Sequence, residues 1–205
     1  MRHTRVVVTH YGGPEVITTI EEDIPSPKPD EVQVKVLAAG VSLPDVLARE
    51  GVHPETPRVP LTPGWDLVGT VHQLAEGVTG FELRQIVAAM PIHGCYAQYA
   101  CLPQRKLVPV PEGLDAAETV AVVLNYITAY QMLHRLAKAQ PGQRMLIHGA
   151  SGGVGSAMLQ LARLARVEMY GTCVAQGAAV GPGAGWHSHG LQEHRLREGD
   201  SSPYR

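Results

Sequence analysis

Residues 144–173, RMLIHGASGGVGSAMLQLARLARVEMYGTC, decide the fold. An apolar run, Met145-Leu146-Ile147, leads into the glycine-rich turn Gly149-Ala150-Ser151-Gly152-Gly153-Val154-Gly155, after which apolar residues recur three and four positions apart. That order predicts a strand, a tight turn and a helix. Glycines at 149, 152 and 155 suit a chain that bends sharply, brings backbone N–H groups close to an anion and packs a helix tightly on its sheet. A pyrophosphate fits such a turn, against the positive end of the helix dipole. The same glycines can serve close helix–strand packing alone, and on the residues both readings stand. A further strand, Val167 to Thr172, follows the helix and nearly completes one right-handed βαβ unit.

The 205 residues, 44% of them hydrophobic, are enough to bury one substantial core or two smaller ones. A net charge of −2 without a basic cluster leaves no electrostatic footprint for nucleic acid or for an anionic membrane surface, so neither is expected as a partner. No apolar run approaches the length of a membrane span, and Met1 to Arg5 passes directly into a strand without a signal-peptide apolar region; a cytoplasmic protein is expected. Cys95, Cys101 and Cys173 are an odd, widely spaced set that does not read as a disulfide framework.

Working outward from the turn, residues 1–113 are β-rich, with strands expected at Arg5 to His10, Val16 to Glu21, Glu31 to Ala39, Asp66 to Leu74, Ile86 to Met90, Tyr96 to Leu102 and Leu107 to Val110. Val32-Gln33-Val34-Lys35-Val36 alternates as a strand with one wet face should. One short helix is expected at Pro44 to Glu50, and Pro/Gly clusters separate the strands. This portion reads as a compact antiparallel, barrel-like domain. From Ala116 to Leu136 the apolar period becomes helical, and Pro141-Gly142 ends that pattern before the opening strand. Residues 114–173 thus form a second, α/β portion. Residues 174–205 carry no Ile, Phe, Met or Lys while Gly, His, Arg and Ser accumulate; such a tail cannot bury enough apolar surface to offset its ordering entropy.

Several stretches in this order resemble the medium-chain dehydrogenase/reductase superfamily, specifically its zinc-free quinone oxidoreductase (zeta-crystallin-like) branch. They are Tyr11-Gly12-Gly13-Pro14-Glu15-Val16, Ala39-Gly40-Val41-Ser42-Leu43-Pro44-Asp45, Pro63-Gly64-Trp65-Asp66-Leu67-Val68-Gly69, Gly94-Cys95-Tyr96-Ala97-Gln98-Tyr99, Val108 to Leu114, Thr128-Ala129-Tyr130 and the glycine turn. The likeness runs from residue 5 to 173. It implies an α/β protein, with an N-terminal GroES-like β-barrel domain followed by the first βαβ unit of a Rossmann domain, incomplete in this chain. It also implies NADPH as cofactor, a small-molecule quinone or enone as substrate, and a homodimer for a full-length member.

Superfamily members with catalytic zinc carry a Cys after the long strand and a Gly-His-Glu in the later signature; here Gly40-Val41-Ser42 and Gly64-Trp65-Asp66 stand in those places, so no zinc is expected. A substitute site from His93, Cys95 and Cys101 is disfavoured, since the two cysteines fall in or beside one strand. Without metal, the family transfers hydride from the nicotinamide to a quinone or an electron-poor alkene whose oxygen is stabilised by hydrogen bonds. Ser42 occupies the place where relatives often carry a substrate-facing Asn; capping the helix at Pro44 to Glu50 is an equal reading. Asp45 matches a family Asp that orients this loop, and His53, where relatives carry Tyr, is either a pocket-wall proton donor or an exposed loop residue. On the cofactor side the resemblance picks out Thr128 near the nicotinamide amide, and Gly149, Ser151, Gly152, Gly153, Val154, Gly155 and Thr172 around the phosphates. For Thr128, a hydroxyl bonded to its own helix backbone is the bland alternative. Relatives select NADPH through small and basic residues after the second strand, whereas Cys173-Val174-Ala175-Gln176 carries no charge.

The family continues past its second strand with a segment reading roughly Ala-Leu-Gly-Ala-Thr-x-x-Ile-Asp-Tyr-Arg, which residues 174–205 lack. Back-translated and read one nucleotide later, residues 182–193 allow Arg-Ala-Leu-Gly-Gly-Thr-Pro-Met-Asp-Tyr-Arg-Asn, in step with the family. The expectation is a frameshifted reductase sequence diverging near Cys173 to Ala175, impaired because two strands cannot complete a Rossmann sheet. The runner-up is an authentic short form with a disordered interaction segment. Rivals in function are a catalytically inactive GroES-like binding module and a zinc-type alcohol dehydrogenase relative.

Overall fold

The computed structural model describes residues 1–173, so every expectation for residues 174–205 lies outside the described residues. The chain divides into two compact units, Met1–Leu124 and a second beginning at Asn125.

In the first unit β1 (Arg2–Val8) and β2 (Ile17–Asp23) form an antiparallel ribbon with Arg2 opposite Asp23 and Val8 opposite Ile17. Five further strands make one antiparallel sheet: β3 (Glu31–Ala39), β4 (Leu67–Leu74), β5 (Ile86–Ala89), β6 (Tyr99–Pro103) and β7 (Leu107–Pro109), in spatial order β6-β3-β4-β5-β7. The ribbon is stitched to the segments flanking this sheet by the Val6 N–H to Tyr96 O and Val8 N–H to Leu61 O bonds, both 2.8 Å. Register shifts at Gln33/Val34 and Val36/Ala38 on β3 interrupt its pairing with β4, and bulges of this kind curl a sheet. Val32, Val34, Leu67, Val71 and Val87 fill the resulting core. Each buried side chain of this size contributes about 1.5–3 kcal/mol by leaving water.

All seven strands expected in this portion form, with ends displaced by a few residues. The alternation of β3 is broken at one place: Gln33 is buried along with Val32 and Val34, because its side-chain amide donates to Pro25 O at 2.6 Å and so enters the interior satisfied. Helix α1 (Leu43–Glu50) begins with Pro44 in its first turn and ends at Gly51, whose φ of +77° makes the left-handed C-cap.

Helix α2 (Ala116–Tyr130) starts in the first unit and runs into the second. The helical period over Ala116 to Leu136 predicts one continuous helix, but Gln131–Leu136 winds more widely, with Ala137 N–H bonding Met132 O at 2.9 Å. That is the five-residue spacing of a π-helical turn, which apolar periodicity over so short a stretch does not distinguish. In the second unit β8 (Arg144–His148) pairs in parallel with β9 (Glu168–Thr172), Arg144 opposite Glu168 and His148 opposite Thr172, while α3 (Gly153–Leu164) joins them. Ala129 and Leu133 pack with Ala157, Met158, Leu159, Ala162, Val167 and Met169 in a core of their own. Among the described residues the parallel sheet has these two strands, and Leu146 on β8 is exposed.

Candidate functional site

The residues expected on the substrate side, Ser42 and Asp45, lie where α1 meets the segment before β4. Ser42 precedes the helix and Asp45 is its third residue, the spacing of a capping box. The Asp45 carboxylate accepts the Ser42 backbone N–H at 2.9 Å and its hydroxyl at 2.7 Å through Oδ2, while Oδ1 accepts the Gly64 N–H at 2.8 Å. Asp45 is buried, so these bonds satisfy a charge taken out of water. Gly64 has a φ of +103°, and a Cβ there would come within 2.7 Å of Cys95 Cβ, which leaves glycine as the residue that fits. The structure thus brings Ser42 and Asp45 together, with the Ser42 hydrogen directed to the carboxylate.

A second buried acid stands beside them. Asp66 accepts the Gly40 N–H at 3.1 Å on Oδ1 and the Leu124 N–H at 3.0 Å on Oδ2. Burial pushes its pKa up, the two amide donors pull it back in part, and the nearby Asp45 charge adds to the rise. Tyr96 donates its hydroxyl to Gly40 O at 3.0 Å, and burial followed by the Asp45 charge pushes the phenol well above its ordinary range. Neither Asp66 nor Tyr96 was picked out from sequence. The available signal was an acid set directly before the apolar Leu67-Val68 of a strand, a position an unpaired carboxylate would not take.

Trp65, between Gly64 and Asp66, meets the His53 ring edge-on at 5.0 Å between centroids. His53 Nδ1 accepts the Glu55 N–H at 3.1 Å, which in the neutral ring places the proton on Nε2. His53 is half-buried, and so lies between the two readings its sequence position allowed.

In the second unit the glycine turn is closed by backbone. Thr172 O accepts the Gly149 N–H at 2.9 Å and the Ala150 N–H at 3.0 Å, and the Gly152 N–H returns to Gly149 O at 3.0 Å. Gly149 sits at a φ of +75°. A Cβ on Gly155 would run into Gly149 O and lie 2.7 Å from Ala150 Cα, and one on Gly153 would lie 2.7 Å from the Asn125 side chain. The first bond running along α3 joins Ser156 N–H to Gly152 O at 2.8 Å, so the amides of Gly153, Val154 and Gly155 precede the helical ladder. Gly152 and Gly153 are exposed, Ser151 and Val154 half-buried. The Thr172 hydroxyl pairs with His148 Nδ1 at 2.8 Å, and Thr128, half-buried, lies on α2 in this same unit. An anion can therefore approach a short row of amides over glycines that present no side chain.

Cys95 is fully buried and its thiol pKa is pushed up by burial; Cys101, raised to about 11 by burial, donates its thiol to Pro25 O at 3.3 Å. Neither offers a thiolate at neutral pH. Among the described residues no group of three or more His, Cys, Asp or Glu is arranged to hold a metal ion, and no helix is long and apolar enough to cross a membrane.

A curled antiparallel β unit, followed by a strand, a glycine turn, a helix and a parallel strand, defines a two-part α/β class. Residues 28–112 match the alcohol dehydrogenase GroES-like domain family. The quinone oxidoreductase of Lama guanicoe is 38% identical over 168 residues, covering 80% of this chain and 51% of that protein. Among solved structures, the human synaptic vesicle membrane protein VAT-1 homolog-like protein superposes with a TM-score of 0.83 at 30% identity, covering 86% of this chain and 57% of the other. The Escherichia coli quinone oxidoreductase complexed with NADPH gives a TM-score of 0.82 at 27% identity, covering 89% of this chain and 56% of the other. These matches support the medium-chain dehydrogenase/reductase superfamily, on its quinone oxidoreductase branch, as the family of this chain. The chain spans about half the length of the curated relatives it matches.

Proposed function

We propose that this chain carries the substrate-side domain and the phosphate turn of an NADPH-dependent, zinc-independent reductase of quinones or α,β-unsaturated carbonyls. The observation that carries the reading is the turn at Gly149 to Gly155. Its amides are presented at the start of α3 beside exposed Gly152 and Gly153, which carry no side chain to bar an anion, a fit to a dinucleotide phosphate. Support comes from similar chains that are named quinone oxidoreductases, one of them solved with NADPH.

When bound, NADPH supplies the hydride. Gly153, Val154 and Gly155 would receive its pyrophosphate through their amides, over the bare backbone of Gly152 and with Ser151 beside them. Gly149 and Thr172 hold the bend, and Thr128 faces the nicotinamide amide. On the substrate side, Asp45 fixes the loop from Ser42 to the Gly64 amide. The Ser42 hydroxyl, swung from Asp45 toward the substrate, exchanges one hydrogen bond for another and stabilises the oxygen that gains charge. His53, with its proton on Nε2, is a second donor near Trp65.

The test is a titration of the purified full chain with NADPH, followed by nicotinamide fluorescence, and then addition of a simple benzoquinone. Saturable binding followed by loss of nicotinamide absorbance is expected. Absence of binding at millimolar cofactor would refute the reading for this chain.

A further inference from the structure

The backbone at Gly40 is gripped from both sides. Its N–H is taken by the buried Asp66 carboxylate at 3.1 Å, and its C=O by the Tyr96 hydroxyl at 3.0 Å. Both grips come from segments distant in sequence, and both act on a residue that begins the irregular stretch between β3 and α1. A Cβ on Gly40 would collide with Asp66 Oδ1 and lie 3.2 Å from its Cγ, so the absence of a side chain here is what lets the carboxylate reach the amide. The other Asp66 oxygen is committed to the Leu124 N–H on α2 at 3.0 Å. Asp66 is 2% exposed, so it is not replaced by water without cost.

Two residues beyond Gly40 stands Ser42, whose own amide and hydroxyl go to Asp45. The loop from Gly40 to Ser42 therefore hangs between two carboxylates. Asp45 belongs to the helix that follows the loop and ties it to the Gly64 amide, whereas Asp66 stands directly before β4 and ties the loop to the Leu124 amide on α2.

We infer that Asp66, with Tyr96, is a positioning residue that clamps the Gly40 peptide and so fixes where Ser42 presents its hydroxyl to the substrate oxygen. The substrate part of this statement rests on the reductase reading above; the clamp itself does not. An Asn at 66 can accept one amide through its oxygen but turns an NH2 toward the other donor, so it breaks one arm while keeping the shape. A Phe at 96 removes just the hydroxyl.

Amide hydrogen exchange on the full chain reads the clamp directly. In Asp66→Asn, exchange at Gly40 or Leu124 should quicken at least tenfold, while Gly64, bonded to Asp45, keeps its protection. Tyr96→Phe should quicken Gly40 by a smaller factor and serves if Asp66→Asn does not fold. Unchanged Gly40 and Leu124 protection in Asp66→Asn, or unchanged Gly40 protection in Tyr96→Phe where that variant alone folds, would overturn the clamp. In steady-state assays both variants should raise the quinone KM several-fold and leave NADPH affinity unchanged. A lost clamp with unaltered quinone KM would overturn the positioning role. If the parent chain shows no NADPH oxidation the reductase reading fails, and the exchange measurement still decides the clamp.

Discussion

The two sites are built in opposite ways. Around Ser42 the geometry is made by side chains that are present: two buried carboxylates and a phenol reach across the first unit to hold backbone amides and a carbonyl. Around the turn at Gly149 to Gly155 it is made by side chains that are absent, with backbone bonds closing a bend that Cβ atoms would force open. A site of the first kind is broken by deleting atoms and one of the second kind by adding them. On the proposed reading their chemistry differs accordingly: the first would direct donors at an uncharged substrate, while the second leaves room for a bulky anion.

The largest effect should follow from removing atoms at the first site. Asp45→Ala leaves the Gly64 and Ser42 amides without their acceptor, and at about 1–3 kcal/mol for each buried donor the loss should be about 3 kcal/mol, read by urea unfolding. Adding one carbon at the second site comes next. Gly155→Ala drives a Cβ into Gly149 O and Ala150, an overpacking cost of about 1–3 kcal/mol that a thermal melt would register. The same change at half-buried Gly94, whose Cβ would meet nothing within 4 Å, tests φ strain alone and should cost less.

Asp66 gives a smaller, pH-dependent effect. Burial raises its folded-state pKa above the ordinary carboxylate range, with Asp45 from α1 and Cys95 and Tyr96 from the segment before β6 facing the same region. A raised acid favours the folded state most fully below the unfolded pKa and gives that contribution up as pH rises through the folded value. The stability of the parent chain minus that of Asp66→Asn should therefore shrink as pH rises from about 4. A gap that widens over that range would show the carboxylate to be preferred ionised. The smallest effect belongs to the surface. Glu22 is lowered chiefly by its hydrogen bond to Arg5, with His3 Nε2 a further 3.4 Å away, but its side chain is 39% exposed. Glu22→Gln should cost less than about 1 kcal/mol near neutrality. A lowered acid contributes above its unfolded pKa, so that difference should fade as pH falls below the ordinary glutamate value of about 4.3.

The second site was far more legible in the sequence than the first, for a physical reason. Glycines at fixed offsets after an apolar run are local information, and the strand, turn, helix and strand they predict are all present from Arg144 to Thr172. The strands of the first unit were legible for the same reason, through alternation and Pro/Gly punctuation. Asp66 and Tyr96 act on Gly40 from 26 and 56 residues away, and nothing in local pattern states such a pairing. Ser42 was legible as a cap of α1 and Asp45 as a residue orienting its loop; that the two bond each other, and that Asp45 also holds Gly64, 19 residues on, was not. The widened turn at Gln131–Leu136 and the buried Gln33 escaped because each depends on a hydrogen bond rather than on hydrophobic period.

Calorimetric titration of the full chain alongside Gly155→Ala asks whether the turn at Gly149 to Gly155 takes the phosphates of NADPH, as proposed. Saturable binding to the parent chain and at least tenfold weaker binding to the variant are expected. No heat of binding to a folded parent chain, or equal affinity in the two, would contradict the proposal.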